Sequence, residues 1–283
     1  TRYGSSAASD VYKRQLDFRE MAPEKAFKDM YLDENGDVIP DMSTLGGAAV
    51  GVPGSISAIY KIHSKFGSLP IEDLFEPAIN LAKNGFVVTQ KQSNSLTGKL
   101  EDFIKVNGEE SLYSKRYYEG DTIKNIKFAE TLSKISKFGP EIFYGGEIGE
   151  MIVNSVKKAG GIMTLNDLEN YKSIWRDPVK FKYKNLDIIS MSLPSSGGIL
   201  IGQMLKVIED YDIKSFGHNS VKTVQLLVEA ERRAYADRSH FMGDPDYMDL
   251  PVYELMDKEY VVDRMKNFSW DKATSSSDVK HGN

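Results

Sequence analysis

From Leu16 onward the apolar positions recur at intervals of three and four, the period of helices with one buried face, and a single stretch alternates residue by residue. Ile56, Ile59, Tyr60, His63 and Phe66 form one stripe closed by Gly67, which predicts a helix with a glycine C-cap. The next helix opens over Ser68 to Pro70, gains Glu72 and Asp73 at the positive end of its dipole, and ends at Gly85. Pro77 inside it predicts a kink or a division into two shorter helices. Residues 86–127 are polar and mixed, and read as short helices with a surface excursion at 107–121. Ile148, Ile152, Val156 and Ala159 make another stripe, stopped by Gly160-Gly161, and Thr164 with Asp167 has the spacing of a capping box that starts a further helix.

The alternating stretch is Val179-Lys180-Phe181-Lys182-Tyr183-Lys184, a half-buried strand that Asn185 helps turn into Leu186–Met191 as a hairpin. Its lysine face reads as a solvated sheet surface, with anion binding as the alternative. Pro194-Ser195-Ser196-Gly197-Gly198 then leads into Ile199, Leu200, Gln203, Met204, Val207 and Ile208 at helical spacing. Such a turn presents backbone N–H groups, but it lacks the lysine of a phosphate loop and the GxGxxG of a dinucleotide site. It is a packing turn or part of a site. The longest helical pattern runs from the Ser220 cap to about Phe241, with Arg233 and Asp237 spaced as an i,i+4 surface pair. With no repeat or low-complexity stretch, residues 16–283 read as one continuous body.

Composition narrows the chemistry. The 283 residues carry 41 Asp+Glu, 36 Lys+Arg and 4 His for a net charge of −5, with 41% hydrophobic residues and no cysteine. Domains of roughly 100–200 residues make this one large domain or two modest ones. Without cysteine there is no disulfide, thiolate zinc site, iron–sulfur ligation or cysteine nucleophile. Dispersed basic residues in an acidic chain give no footprint for nucleic acid, and no apolar run is long enough for a membrane span. Residues 1–15 have no signal-peptide apolar core and read as a non-native scar or a disordered tail.

Candidate sites are sparse. Asp33-Glu34-Asn35-Gly36-Asp37 starts like a calcium loop, but Val38 and Thr44 stand where glycine and glutamate are needed, so it reads as a turn. His63 has no second histidine within two turns and reads as a core-edge or surface residue, not a ligand. Ser239 and His240 are neighbours in sequence, so on a helix their side chains diverge and do not form a nucleophile–base pair. No metal and no cofactor are expected.

Several segments in chain order resemble the large subunit of γ-glutamyltransferases (γ-glutamyltranspeptidases, or glutathione hydrolases): Leu16-Asp17-Phe18-Arg19-Glu20-Met21-Ala22-Pro23, Gly51-Val52-Pro53-Gly54, the helix from Glu76-Pro77-Ala78-Ile79 to Asn84-Gly85-Phe86, Gly160-Gly161-Ile162-Met163-Thr164, Pro194-Ser195-Ser196-Gly197-Gly198, and Ala236-Asp237-Arg238 with Gly243-Asp244-Pro245-Asp246. The resemblance implies an α+β fold, the helix-rich large-subunit portion of the N-terminal-nucleophile hydrolase αββα sandwich. It implies a precursor that cuts itself, so that a threonine at the start of the small subunit becomes the nucleophile, with its own α-amino group as base. That threonine is expected beyond Asn283, which leaves this chain inactive by itself and its own small subunit as partner. Substrates would be glutathione and other γ-glutamyl compounds, with acceptor amino acids, dipeptides or water taking the γ-glutamyl group.

Within this chain the resemblance assigns Arg19 to the substrate's α-carboxylate, which suits a planar, permanently charged guanidinium. Taken alone, Arg19 between Asp17 and Glu20 would be a surface ion pair. Glu20 is a candidate for orienting Arg19, and Ser195, Ser196, Asp237 and Arg238 are assigned no substrate contact. The family further implies export to the periplasm or beyond. A cephalosporin (β-lactam) acylase of the same superfamily and a non-catalytic homologue are the alternatives.

Overall fold

In the computed structural model the structure describes residues 14–282, so most of the segment read as a scar or tail lies outside the described residues. The chain divides into two compact units, Leu16–Ile174 and a second that contains Trp175–Asn283, where the sequence pattern predicts one body.

The first unit begins at Leu16, within the short strand β1 (Gln15–Asp17), and is otherwise mostly helical. Helix α1 is Ser55–Phe66 and α2 is Ile71–Asn84. Gly67 ends α1 at φ −65°, so no left-handed cap is present; glycine is needed there because a Cβ would sit 2.3 Å from the His63 ring. His63 Nε2 in turn lies 2.7 Å from the Leu69 carbonyl and ties down the connection to α2. Helix α2 is one element through Pro77; the ring lies on the exposed face, so the Asp73 carbonyl it leaves without an N–H partner is on the solvent side, while Phe75 turns inward against Leu132 and Ile135.

The polar stretch after α2 contains a feature the pattern does not predict. Strand β2 (Phe86–Val87) pairs antiparallel with β3 (Thr122–Ile123), around α3 (Gln90–Gly98) and α4 (Leu100–Asn107). Val88, Tyr117 and Ile123 form a small core there. Two-residue strands carry too little alternation to be read.

Helices α5 (Ile126–Phe138), α6 (Glu141–Tyr144), α7 (Glu147–Lys158) and α8 (Leu165–Glu169) complete the unit. The capping box is present: the Thr164 hydroxyl accepts the Asp167 N–H, and Asp167 Oδ2 accepts the Thr164 N–H at 2.7 Å. The main core gathers Val52, Tyr144, Val153, Val156, Met163, Leu168 and Tyr171. Gly47 and Gly161 touch each other beside Val156 of this core. A Cβ on Gly47 would lie 2.2 Å from the Val156 carbonyl oxygen and 2.5 Å from the Gly161 nitrogen, and one on Gly161 would lie 2.4 Å from the Gly47 oxygen.

From Trp175, within β4 (Ile174–Arg176), the chain belongs to the second unit, which holds the predicted hairpin, β5 (Val179–Tyr183) and β6 (Leu186–Ser190), in the register Phe181 to Ile188. Phe181 is buried and its lysine neighbours are exposed, as alternation requires. The left-handed residue of the turn is Lys184 at φ 52°. Five helices follow: α9 (Gly197–Ile208), α10 (Ile213–Phe216), α11 (Val221–Phe241), α12 (Val252–Leu255) and α13 (Lys258–Asp263). Gly198, the second residue of α9, packs against the end of β6: a Cβ would sit 2.3 Å from the carbonyl oxygen of Met191, just past the strand, and 3.1 Å from Ser190 Cβ.

The expected surface pair of Arg233 with Asp237 is replaced by a buried arrangement. Arg233 pairs one turn back with Glu229 at 2.6 Å, and Asp237 pairs with Arg264 at 2.9 Å. Both residues four positions from Arg233 are acidic, and packing of α11 against the end of the chain decides between them.

Candidate functional site

Arg19 lies on an irregular segment just after β1, and main-chain bonds fix its position. Asp17 Oδ1 accepts the Arg19 N–H at 3.1 Å, while the Arg19 carbonyl accepts the Tyr171 hydroxyl at 2.8 Å. Two residues on, Met21 and Val52 bridge antiparallel, with N···O distances of 3.2 and 2.8 Å. The small-residue run 51–54 therefore runs directly beside the Arg19 segment. Its two flanking glycines have contact reasons: a Cβ on Gly51 would lie 2.9 Å from Glu20 Cβ, and one on Gly54 would lie 2.0 Å from the Tyr171 hydroxyl and 2.2 Å from the Phe18 carbonyl oxygen.

Tyr171 is the support behind this segment. It is buried and stacks on Tyr144 with centroids 5.8 Å apart and planes 7° from parallel. Tyr144 donates to the Pro53 carbonyl at 2.9 Å and accepts the Ser57 N–H at 3.1 Å. Burial, then the neighbouring Tyr144, Asp17 and Glu20, pushes the Tyr171 phenol up to about 12, so it keeps its proton and remains a donor to Arg19 at neutral pH.

The Arg19 side chain itself points to solvent. It is 57% exposed and stands 3.7 Å from Glu20 Oε1, with Glu20 65% exposed. A main chain held by hydrogen bonds thus carries a solvent-facing guanidinium, a geometry suited to gripping a carboxylate that arrives from solution. The structure brings the side chains of Arg19 and Glu20 to 3.7 Å; nothing in the sequence points to Tyr171, because an isolated tyrosine after a short helix carries no signal.

Elsewhere the Gly-rich turn before α9 is engaged internally, with the Ser196 hydroxyl accepting from Arg238 Nε at 2.9 Å. Asp237 is buried in the pairing described above. The Asp33 turn closes on itself: Asp33 Oδ1 accepts the N–H groups of Asn35 and Asp37, each at 2.9 Å. Those bonds hold its carboxyl below the usual range. Ser239 and His240 diverge, the first bonding the Tyr235 carbonyl at 2.9 Å and the second stacking on His281 with centroids 3.5 Å apart. Among the described residues no group of three or more His, Asp or Glu is placed to hold a metal ion. No helix among them is long and apolar enough to cross a membrane.

The fold falls in the class expected, the helix-rich α+β portion of the N-terminal-nucleophile hydrolases. The γ-glutamyltranspeptidase structure from Helicobacter pylori superposes with a TM-score of 0.91 at 40% identity, over 94% of this chain and 77% of that one. The family model described as gamma-glutamyltranspeptidase matches residues 6–283, and the chain belongs to that family. The glutathione hydrolase proenzyme of Escherichia coli K12 is 36% identical over 279 residues, covering 94% of this chain and 47% of that protein. An acylase ACY 1 proenzyme of Pseudomonas sp. V22 is 35% identical over 92% of this chain and 48% of its own length. The chain thus spans about half the length of the curated relatives it matches.

Proposed function

We propose that the protein to which this chain belongs transfers or hydrolyses γ-glutamyl groups of glutathione and related compounds, and that Arg19 binds the α-carboxylate of the γ-glutamyl moiety. The observation that carries this reading is the family match over almost the whole chain together with an outward guanidinium on a segment held through its main chain. Two guanidinium N–H groups can meet two carboxylate oxygens in parallel, which fixes the substrate's amino-acid end and places its γ-carbonyl at a set distance. Glu20 at 3.7 Å biases the orientation of Arg19 before substrate arrives.

The nucleophile in this reading is a threonine freed by self-cleavage of a proenzyme, the term in the names of the bacterial relatives. Its hydroxyl attacks the γ-carbonyl, its α-amino group takes the proton, and water or an amino-acid amine resolves the acyl-enzyme. The partner of this chain is then the small subunit from the same precursor, and the site of action is the periplasm or the medium. The test is release of γ-glutamyl groups from glutathione by the full-length product; a self-processed protein without that activity rejects the proposal. The match to an acylase proenzyme supports a second reading, hydrolysis of an acylated cephalosporin. Side-by-side turnover of glutathione and a glutaryl-cephalosporin separates the two.

A further inference from the structure

The guanidinium assigned to the substrate's carboxylate sits on a stretch without regular structure, since Phe18–Glu20 is neither helix nor strand. A side chain on such a stretch is placed only as well as its main chain is held. Two tyrosines hold it from one side. Tyr171 donates to the Arg19 carbonyl at 2.8 Å, and Tyr144 donates at 2.9 Å to the carbonyl of Pro53, in the run that lies beside the Arg19 segment.

The Tyr171 hydroxyl is not needed to fill the core. Its ring belongs to the cluster of Val52, Met163 and Leu168 and stacks on Tyr144, and a phenylalanine would occupy the same space with no buried polar atom to satisfy. Among the described residues the hydroxyl donates to one acceptor, the Arg19 carbonyl.

A further set of contacts fixes Tyr171 through the chain that carries it. Ser173, two residues on, is 1% exposed, and its polar groups are taken up by the first turns of α1. Ser57 Oγ lies 2.9 Å from Ser173 Oγ and accepts the Ser173 N–H at 3.3 Å. Lys61, four residues along and so on the same face of α1, donates to the Ser173 carbonyl. The Ser57 N–H goes to the Tyr144 hydroxyl at 3.1 Å. One regular helix therefore holds both Tyr144 and the backbone on which Tyr171 stands.

We infer that Tyr171 is a positioning residue for γ-glutamyl binding: its hydroxyl, backed by Tyr144 and by Ser57 and Lys61 through Ser173, fixes the Arg19 carbonyl and so the point from which the guanidinium reaches the α-carboxylate. The inference rests on the reading of Arg19 given above. A bidentate contact needs two N–H groups aligned with two oxygens at once, so a shift of the main chain loosens one of them. The flexible arginine side chain takes up part of that shift. The expected loss is therefore about 3–10-fold in KM, the scale of one hydrogen bond, and not the 100-fold or so of a misplaced reacting atom. Because Tyr171 acts through Arg19, removing Arg19 removes the effect.

The test is a double-mutant cycle in the full-length protein with glutathione as substrate: Arg19→Ala, Tyr171→Phe and the two together, with Val88→Ala as a stability control in the separate small core of Val88, Tyr117 and Ile123. The readouts are kcat, KM, kcat/KM from initial slopes, and the thermal midpoint. Tyr171→Phe should raise KM about 3–10-fold with kcat unchanged, the pattern of lost binding and not of lost chemistry. In the Arg19→Ala background the same change should alter kcat/KM by less than about twofold. Val88→Ala should lower the midpoint at wild-type KM. If Tyr171→Phe yields no soluble protein, Ser57→Ala takes its place in the cycle, since it loosens Ser173 and leaves both phenols; it should raise KM with Arg19 present and not without it. A wild-type KM in Tyr171→Phe, losses that multiply in the double variant, or a KM that rises equally in Val88→Ala overturns the positioning role and leaves the Arg19 assignment standing. An Arg19→Ala protein with unchanged KM overturns that assignment and this inference together.

Discussion

Gly54→Ala is the sharpest test of how the Arg19 segment is held, because two opposing effects predict opposite signs. Gly54 has φ −107° and ψ −11°, a conformation open to alanine, so without a clash the change would stabilise by about 0.4–1 kcal/mol through the unfolded chain. The structure supplies a clash. The new Cβ would lie 2.2 Å from the Phe18 carbonyl oxygen, a backbone atom that cannot rotate away, and 2.0 Å from the Tyr171 hydroxyl. Overpacking of this kind costs about 1–3 kcal/mol, which outweighs the entropic gain. A net loss of about 1–2 kcal/mol corresponds to roughly 2–8 °C in the thermal midpoint of a unit of this size.

The matching control is Gly98→Ala. That residue ends α3 with no heavy atom within 4 Å of its ideal Cβ, so the midpoint should hold or rise, with a gain of up to about 1 kcal/mol. Differential scanning calorimetry of the two variants and the parent reads the answer. Adding Tyr171→Phe to Gly54→Ala removes the hydroxyl and leaves the Phe18 oxygen, so the double variant should not recover the parent midpoint. If Gly54→Ala rises along with Gly98→Ala, the Phe18–Met21 segment does not lie against the 51–54 run and the site description fails.

Three further outcomes are expected. Arg19→Ala in the full-length protein should weaken γ-glutamyl substrates by about 1.5–3 kcal/mol, roughly 10–150-fold in KM, without touching self-cleavage; an unchanged KM for glutathione would sink the assignment. Leu168→Ala removes a side chain that is 0% exposed at the centre of the first unit's core and should cost about 2–5 kcal/mol by denaturant melts, a loss under 1 kcal/mol arguing that the core is misplaced. Burial alone would raise the Glu229 carboxyl, but the Arg233 hydrogen bond and those from Thr274 bring it below its ordinary 4.5. A depressed folded-state value contributes stability that is fully present above 4.5 and is lost as pH falls through the lower folded value. The midpoint gap between the parent and Glu229→Gln should therefore be constant near neutrality and shrink below pH 4.5; a gap that widens on acidification contradicts the pairing.

The elements that the sequence discloses are those in which local pattern and tertiary burial agree. The stripe Ile148, Ile152, Val156 becomes α7, Thr164 with Asp167 becomes a capping box, and Val179 to Tyr183 becomes a strand with Phe181 inside. What stays hidden is whatever depends on a partner distant in the chain. Arg233 has an acid four residues to each side, so spacing cannot say that Glu229 takes it and that Asp237 goes to Arg264. The β2–β3 pair has only two residues per strand, too few for a period. At the candidate site, Arg19 is meaningful only through family resemblance, and Tyr171 and Gly54, which support it, become visible only as contacts across the fold.

The contact between Gly47 and Gly161 has a consequence for how this family's sequences can change. Spatial neighbours are often detected because a larger residue at one position is balanced by a smaller one at the other. Here both positions already hold the smallest residue, and each obstructs the other with main-chain atoms. No substitution at one can make room for a methyl at the other. The two sites touch, yet no compensating exchange between them is open, so a search for paired variation would pass over one of the tightest contacts in the first unit.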